Sequence, residues 1–376
     1  MSERDRNLGV DRNVVVDRNV VVSGPHEVAL RHEVPEPLTD GTFRVETLFS
    51  GVSAGTELSY VKGTNPYLSA TWDGTLGLFV EGAPETPYPV TRLGYMEVGR
   101  VTRSRTPAVA EGAVVAMTYG HRTGYRGDPL LDRVVPVPAE LDPLLGIYVA
   151  HMGPICANGL LHAAADLYGS GVRDLGDGVR GRRVAVTGAG VVALLTALFA
   201  RRAGAASVVV LDPTPQRRAV AEALGLETLD PTADDPAVVL KTRWRHAVDD
   251  RGADVVFQCR GQSSALHLAL RLLRPQGTVV DLAFYQGGAD LVRLGEEFHH
   301  NGLSLRCAQI GRVPRGLAPT WDRDRLSAET IALLRDYGDL IRAHLVSAVL
   351  PFDEAPALLM ELAAGRRHEV QAVLAV

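Results

Sequence analysis

The sequence predicts an α/β fold in two parts: an irregular β-barrel, then a doubly wound parallel sheet with helices on both faces. Two observations predict the parts. Up to about residue 150, short apolar runs alternate with Gly/Pro turns. From Val184 to about Arg306, strand-like runs alternate with helical stretches. A third, the glycine turn between the first such strand and helix, gives the second part a purpose.

The first part opens on a repeated unit, Asp5-Arg6-Asn7, then Asp11 to Val16, then Asp17 to Val22. The repeat reads as a slipped coding unit adding a flexible or strand-swapping arm over residues 1–18, with the last copy starting a strand. Further strands are expected at Phe43–Leu48, Val98–Val101 and Ala113–Ala116. A helical run, Leu160–Tyr168, bridges to the second part. There the strands read Val184–Thr187, Ser207–Leu211, Val255–Phe257, Thr278–Leu282 and Leu303–Arg306. The chain closes with a strand at Ser347–Phe352, a helix Asp353–Ala364 capped by Asp353, and a strand at Val370–Val376. The expected division is 1–155, 156–312 and a return over 313–376, since 376 residues exceed one core.

Charge and cysteine content narrow the function. With 39 basic and 44 acidic residues, the net charge of −5 argues against nucleic acid or anionic membrane as partner. Cys156, Cys259 and Cys307 are too few and too scattered for a disulfide framework. The charged N-terminus lacks a signal-peptide apolar core, and the apolar run 184–200 is broken by Gly188 and Gly190. A soluble cytoplasmic protein is expected.

The sharpest motif is Val186-Thr187-Gly188-Ala189-Gly190-Val191-Val192-Ala193, leading from strand to helix. Gly188 permits a tight turn, and Gly190 lets the backbone approach a pyrophosphate. The N–H groups at Val191 and Val192 open the helix and face that anion. Asp212 ends the next strand, where a carboxylate accepts from the adenosine 2′-hydroxyl and repels a 2′-phosphate. NAD(H) is therefore favoured over NADP(H), a preference that nearby Arg217 and Arg218 could reverse.

Nearly the whole chain resembles the medium-chain dehydrogenase/reductase superfamily. Ser50-Gly51-Val52-Ser53-Ala54-Gly55-Thr56-Glu57 and Leu93-Gly94-Tyr95-Met96-Glu97-Val98-Gly99 look like its GroES-like substrate domain, and the 188–190 turn like its Rossmann domain. The stretches Glu297–Asn301, Gln309–Arg312 and Trp321-Asp322-Arg323 are similar to a zinc-lacking branch near bacteriochlorophyllide hydroxyethyl dehydrogenases and actinomycete pathway enzymes. The resemblance implies a GroES-like β-barrel, a Rossmann sheet and a homodimer paired through the Leu303–Arg306 edge.

Where zinc members carry their catalytic ligands, this chain has Ala54, Tyr95 with Met96, and about Gly153. These side chains do not suit zinc, and no cysteine precedes Cys156 to build a structural site. No metal is expected. His299-His300 are sequence neighbours that diverge on a helix, so they do not chelate alone.

Without zinc, hydrogen-bond donors and a proton acceptor must handle the reacting oxygen. By resemblance, Thr56 matches a proton-relay hydroxyl, although capping a local turn explains it equally. Tyr95 takes a ligand histidine's place and either acts on the substrate oxygen or fills the vacated space. His121, on an expected pocket rim, and His151, near the interdomain entrance, are alternative bases or structural residues. Ser53, Glu57, Glu97 and Asn158 are candidate substrate contacts, with an ion pair to Arg100 the plain alternative for Glu97. Arg260, Gly261, Ala283 and Phe284 are expected along the cofactor crevice, Arg260 facing phosphates, an anionic substrate or a surface acid.

The reading is a hydride transfer between NAD(H) and a secondary alcohol or ketone. The polar loop residues, by analogy, suggest a sugar, cyclitol or nucleoside. Two rivals remain open: a zinc-free quinone or enone reductase using NADPH, and a non-catalytic NAD(H)-binding sensor.

Overall fold

In the computed structural model of the chain, residues 16–376 are described. The earlier copies of the N-terminal repeat lie outside them. The last copy forms β1 (Asp17–Gly24), so Asp17 and Arg18 belong to a strand and not to a flexible arm. Asp17 accepts from Arg44, and Arg18 pairs with Asp353 at 2.6 Å. β1 pairs antiparallel with β2 (Glu27–Glu33).

The first large sheet contains β3 (Phe43–Gly51), which is followed by helix α1 (Ala54–Val61). A separate hairpin, β4 (Ala70–Asp73) and β5 (Leu78–Glu81), comes next. The sheet continues with β6 (Glu97–Ser104), β7 (Val114–Met117), β8 (Gly124–Gly127) and β9 (Val135–Pro136). Gly99 is required where β6 crosses β3, because a Cβ there would lie 2.6 Å from the Glu46 carbonyl.

α2 (Met152–Tyr168) begins eight residues before the expected helical run. The apolar periodicity is weak there, and tertiary burial of Met152, Gly153 and Pro154 supplies the stability. The second sheet is wholly parallel. Its strands are β10 (Arg183–Thr187), β11 (Ser207–Leu211), β12 (Glu227–Leu229), β13 (Ala253–Gln258), β14 (Leu273–Asp281) and β15 (Ser304–Cys307). Their order is β12-β11-β10-β13-β14-β15, so the winding reverses between β10 and β13. Helices α3 (Val191–Arg202), α4 (Pro215–Ala223), α5 (Pro236–Arg243) and α6 (Ser263–Leu272) cover it. The buried run Val184-Ala185-Val186 reads as continuous apolar sequence because both its faces are covered. α3 stops at Gly204, whose φ of +88° ends the helix as the sequence implies.

α7 (Arg323–Leu340) packs on α2 and α3. The chain then returns to the first sheet through β16 (Val346–Pro351) and β17 (Gln371–Ala375), with α8 (Ala355–Ala363) between them. β17 pairs antiparallel with β3 and parallel with β16. Asp353 does not cap α8: Glu354 takes the cap position, with no side-chain bond. Val20 and Val22 of β1 join Leu358, Leu359 and Leu374 in one apolar cluster, tying the chain's two ends together. Among the described residues, no helix is long and apolar enough to cross a membrane.

Candidate active site

The glycine turn sits where the winding reverses, at the carboxyl ends of β10 and β13, the usual ligand position in such sheets. Gly188 has φ +100°, a conformation that suits glycine alone. At Gly190, which caps α3 without a side-chain bond, an added Cβ would meet nothing within 4 Å. The first turn of α3 therefore presents N–H groups to open space, and no acidic side chain opposes an anion there. A cavity of about 620 Å³ continues from Gly188 past Leu211, Pro213 and Arg260. These residues fit the pyrophosphate and adenosine of a dinucleotide.

Asp212 differs from expectation in its partners. It is buried, and its two oxygens accept from the backbone N–H groups of Ala189 (2.9 Å) and Thr214 (2.8 Å). It braces the glycine turn and is not laid open to a ribose. Arg218 donates to the Asp212 carbonyl and pairs with Asp230 at 2.8 Å, which withdraws it from the cavity, while Arg217 is half-buried. Gly261 allows close approach of two loops, since a Cβ would strike the Phe284 carbonyl. Ala283 N–H is fixed by Asp281, and Phe284 is partly exposed.

Sequence reasoning missed the crevice floor. Thr187 donates to Gln258, whose amide donates to the Tyr285 hydroxyl at 2.9 Å, which donates to Asp281 at 2.9 Å. Each lies at or just past the end of a strand, a position whose polarity was visible while its pairing was not.

The path from the glycine turn to the other sheet runs through α2. Cys156 Sγ lies 3.4 Å from the carbonyl of Val192, the second residue of α3. Beside Cys156 stands Tyr95, whose hydroxyl shares a short hydrogen bond with Ser53 Oγ. Thr56 lies within the same hydroxyl cluster. The Tyr95 ring meets the His151 ring edge-on, with centroids 4.6 Å apart. Burial pushes the Tyr95 phenol up to about 12, so it keeps its proton at neutral pH. His151 is driven the other way, to about 3, by burial and by the cations Arg323 and Arg133.

Three expected site residues sit elsewhere. His121 is fully buried in the turn between β7 and β8, not on a rim. Its Nδ1 meets Ser50 Oγ at 2.7 Å and its Nε2 meets Glu57 at 2.9 Å. Glu97 is also fully buried and accepts from Ser50 and from Gly120 N–H. Glu57 and Glu97 thus clasp an imidazole instead of reaching substrate, and neither pairs with Arg100. Burial alone would lower the His121 pKa, but the two carboxylates outweigh it and raise it. Glu97 is raised to about 7, chiefly by burial. Gly94 leaves room for this ring: a Cβ there would lie 2.8 Å from its Cε1. Glu57 also accepts from Ser53 N–H at 2.8 Å, which links the cluster to the Ser53–Tyr95 pair.

Asn158 is likewise buried. Its amide donates to the carbonyls of Gln309 (3.2 Å) and Arg312 (3.3 Å), holding the segment after β15 and not lining the crevice. Across the cleft mouth, Gln286 donates to the Gly55 carbonyl and accepts from Thr64. A separate concavity of about 740 Å³ opens at the amino ends of β13 and β14, where Arg274 pairs with both Asp250 and Asp254.

A zinc ion does not fit these residues. Met96 is fully buried against Gly51, and a side chain at Gly153 would collide with Thr330 of α7. Among the described residues, no three His, Cys, Asp or Glu side chains are grouped to hold a metal.

The profile of the "Zinc-binding dehydrogenase" family matches residues 191–317. D-guloside 3-dehydrogenase of Escherichia coli is 26% identical over 344 residues, covering 90% of this chain and 93% of that protein. L-galactonate-5-dehydrogenase of the same bacterium is 36% identical over 120 residues, 32% of this chain and 33% of its own. A zinc-binding dehydrogenase of Sinorhizobium meliloti, solved with NADP, superposes with a TM-score of 0.72 at 21% identity, over 96% of this chain and all of that one (100%). The parallel sheet is thus a Rossmann fold and the strand-rich part is GroES-like. Residues 191–317 thus match the zinc-binding dehydrogenase family, and along almost its full length the chain is similar to medium-chain dehydrogenase/reductase oxidoreductases.

Proposed function

We propose that the chain moves a hydride between NAD(H) and a secondary alcohol or ketone of a polyhydroxylated substrate, and does so without zinc. The observation that carries this reading is the Tyr95 hydroxyl, held by Ser53, its ring edge-on to His151 and beside Cys156, whose thiol meets the Val192 carbonyl in the first turn of α3. Relatives that act on a guloside and on galactonate support a polyol or sugar substrate. Asp212, although bonded to the glycine turn and not to a ribose, places an acidic group between the cavity residues Leu211 and Pro213, which supports NAD(H) over its phosphorylated form.

With its pyrophosphate held at the glycine turn, a bound dinucleotide would supply or accept the hydride through its nicotinamide. The chain's own groups manage the oxygen. Ser53 donates to Tyr95, freeing the phenolic proton for a carbonyl oxygen, while His151 offers a second donor. Negative charge developing on that oxygen is then met by two preset hydrogen bonds in a site screened from water. In the oxidative direction the same groups hold the hydroxyl, and its proton leaves along Tyr95 and Ser53 towards Thr56. A second copy of the chain pairs along the free edge of β15, where Leu305 is partly exposed.

Tyr95→Phe tests the reading. It should keep the melting temperature and lower kcat by ~10² or more, the usual contribution of a positioned acid or base. Turnover within about threefold of wild type removes Tyr95 from the chemistry. Exhaustive chelation followed by metal analysis tests the zinc-free assignment, which requires undiminished activity.

A further inference from the structure

Trp321-Asp322-Arg323 has no part in the hydride reading, yet it brings Arg323 to the site. Arg323 begins α7, and its Nη2 lies 2.7 Å from His151 Nδ1. A guanidinium has only donors, so the nitrogen facing it must present a bare lone pair. A neutral imidazole with Nδ1 unprotonated carries its hydrogen on Nε2.

The contact is held from behind. Arg133 donates to the carbonyls of Ala150 (3.0 Å) and Arg323 (2.7 Å), the backbone on either side of the contact, and to Ser327 at 2.8 Å. Its charge is taken up by Asp324 at 2.7 Å. Arg323 itself is half-buried, and its Nε is buried without a partner. The groups facing His151 are therefore Tyr95, Arg133 and Arg323, with Asp324 beyond them. Two cations and no adjacent carboxylate oppose an imidazolium.

We propose that Arg323 is a positioning residue that locks His151 in its neutral Nε2–H tautomer, making the ring a hydrogen-bond donor to the substrate oxygen and not a base. The inference rests on the hydride-transfer reading for its purpose, but its physical content is independent of turnover. It corrects the choice of His151 as proton acceptor: one ring nitrogen is consumed by a cation and the other carries hydrogen. A neutral ring of this kind polarises a carbonyl without gaining a proton.

The test is the imidazole ¹⁵N spectrum of the full-length protein, with His151→Gln used to assign the signal. In wild type, the pattern of a protonated Nε2 and a bare Nδ1 should persist from pH 8 to pH 5. Arg323→Met should let the ring titrate within that interval and mix its tautomers, and Arg323→Lys should restore most of the wild-type pattern. The pH profile of ketone reduction should gain an ionisation in Arg323→Met that the double variant Arg323→Met/His151→Gln lacks. A wild-type proton on Nδ1, or an unchanged ring signal in folded Arg323→Met, overturns the proposal; the wild-type measurement decides even if that variant does not fold. Full turnover in His151→Leu, which has no donor to offer, sinks the donor role in the proposed chemistry and leaves the tautomer measurement standing, so the two failures are distinguishable.

Discussion

Replacing His121 by leucine should cost more stability than any surface substitution, because it strands two carboxylates inside the protein. His121, Glu57 and Glu97 are 0%, 1% and 0% exposed. The substitution keeps an apolar volume near that of the ring but removes the bonds to Glu57 (2.9 Å) and Ser50 (2.7 Å). Breaking a buried ion pair by deleting one partner costs about 3–5 kcal/mol. Urea unfolding at pH 8, followed by tryptophan fluorescence, should show that loss as a lower midpoint. Adding Glu97→Gln to the leucine variant should recover part of it by removing one stranded charge. A single-variant loss below about 1 kcal/mol, or a Glu97→Gln that deepens the deficit, refutes the argument. The pH sign follows from the raised groups. Glu97 moves from an ordinary carboxylate value to about 7, so its contribution is complete below pH 4.5 and is lost as pH rises through 7. His121 is also raised and runs the same way. Glu97→Gln alone should therefore flatten the stability profile over that interval.

Gly190→Ala should fold normally, since its Cβ meets open space, yet bind dinucleotide at least ~10-fold more weakly by titration calorimetry because the backbone can no longer reach the pyrophosphate. An unchanged affinity would place the cofactor elsewhere. Asp212→Ala removes two charge-assisted bonds to backbone N–H groups and should lower stability by about 2 kcal/mol. The same variant should shift the kcat/KM ratio towards NADPH; equal losses with both cofactors would separate Asp212 from cofactor choice.

The parallel sheet was legible because its signals are local. Val184-Ala185-Val186 is apolar on both faces, the glycines follow it at a fixed point, and Gly204 stops α3, each within a short window. The start of α2 was less legible: Gly153 is a poor indicator of a helix, and its close packing under Thr330 became visible only in the fold. At the site, Tyr95 stood out because an aromatic hydroxyl occupies a ligand position, and Ser53 and Thr56 followed from the loop motif. The polarity of Glu57, Glu97 and His121 was equally plain. It suggested exposure to substrate, because a polar residue in a sequence does not disclose whether its partner is water or another side chain.

By itself, then, the sequence determined where the parallel sheet turns from its first strand into its first helix, since backbone freedom at Gly188 and Gly190 belongs to single residues. Tertiary structure alone decided that Glu57 and Glu97 serve His121, that Asp212 braces a turn, and that Arg323 meets His151 across 172 positions of chain. Those pairings depend on which elements pack together, and a hydrogen bond needs a few ångströms of space, not nearness in sequence.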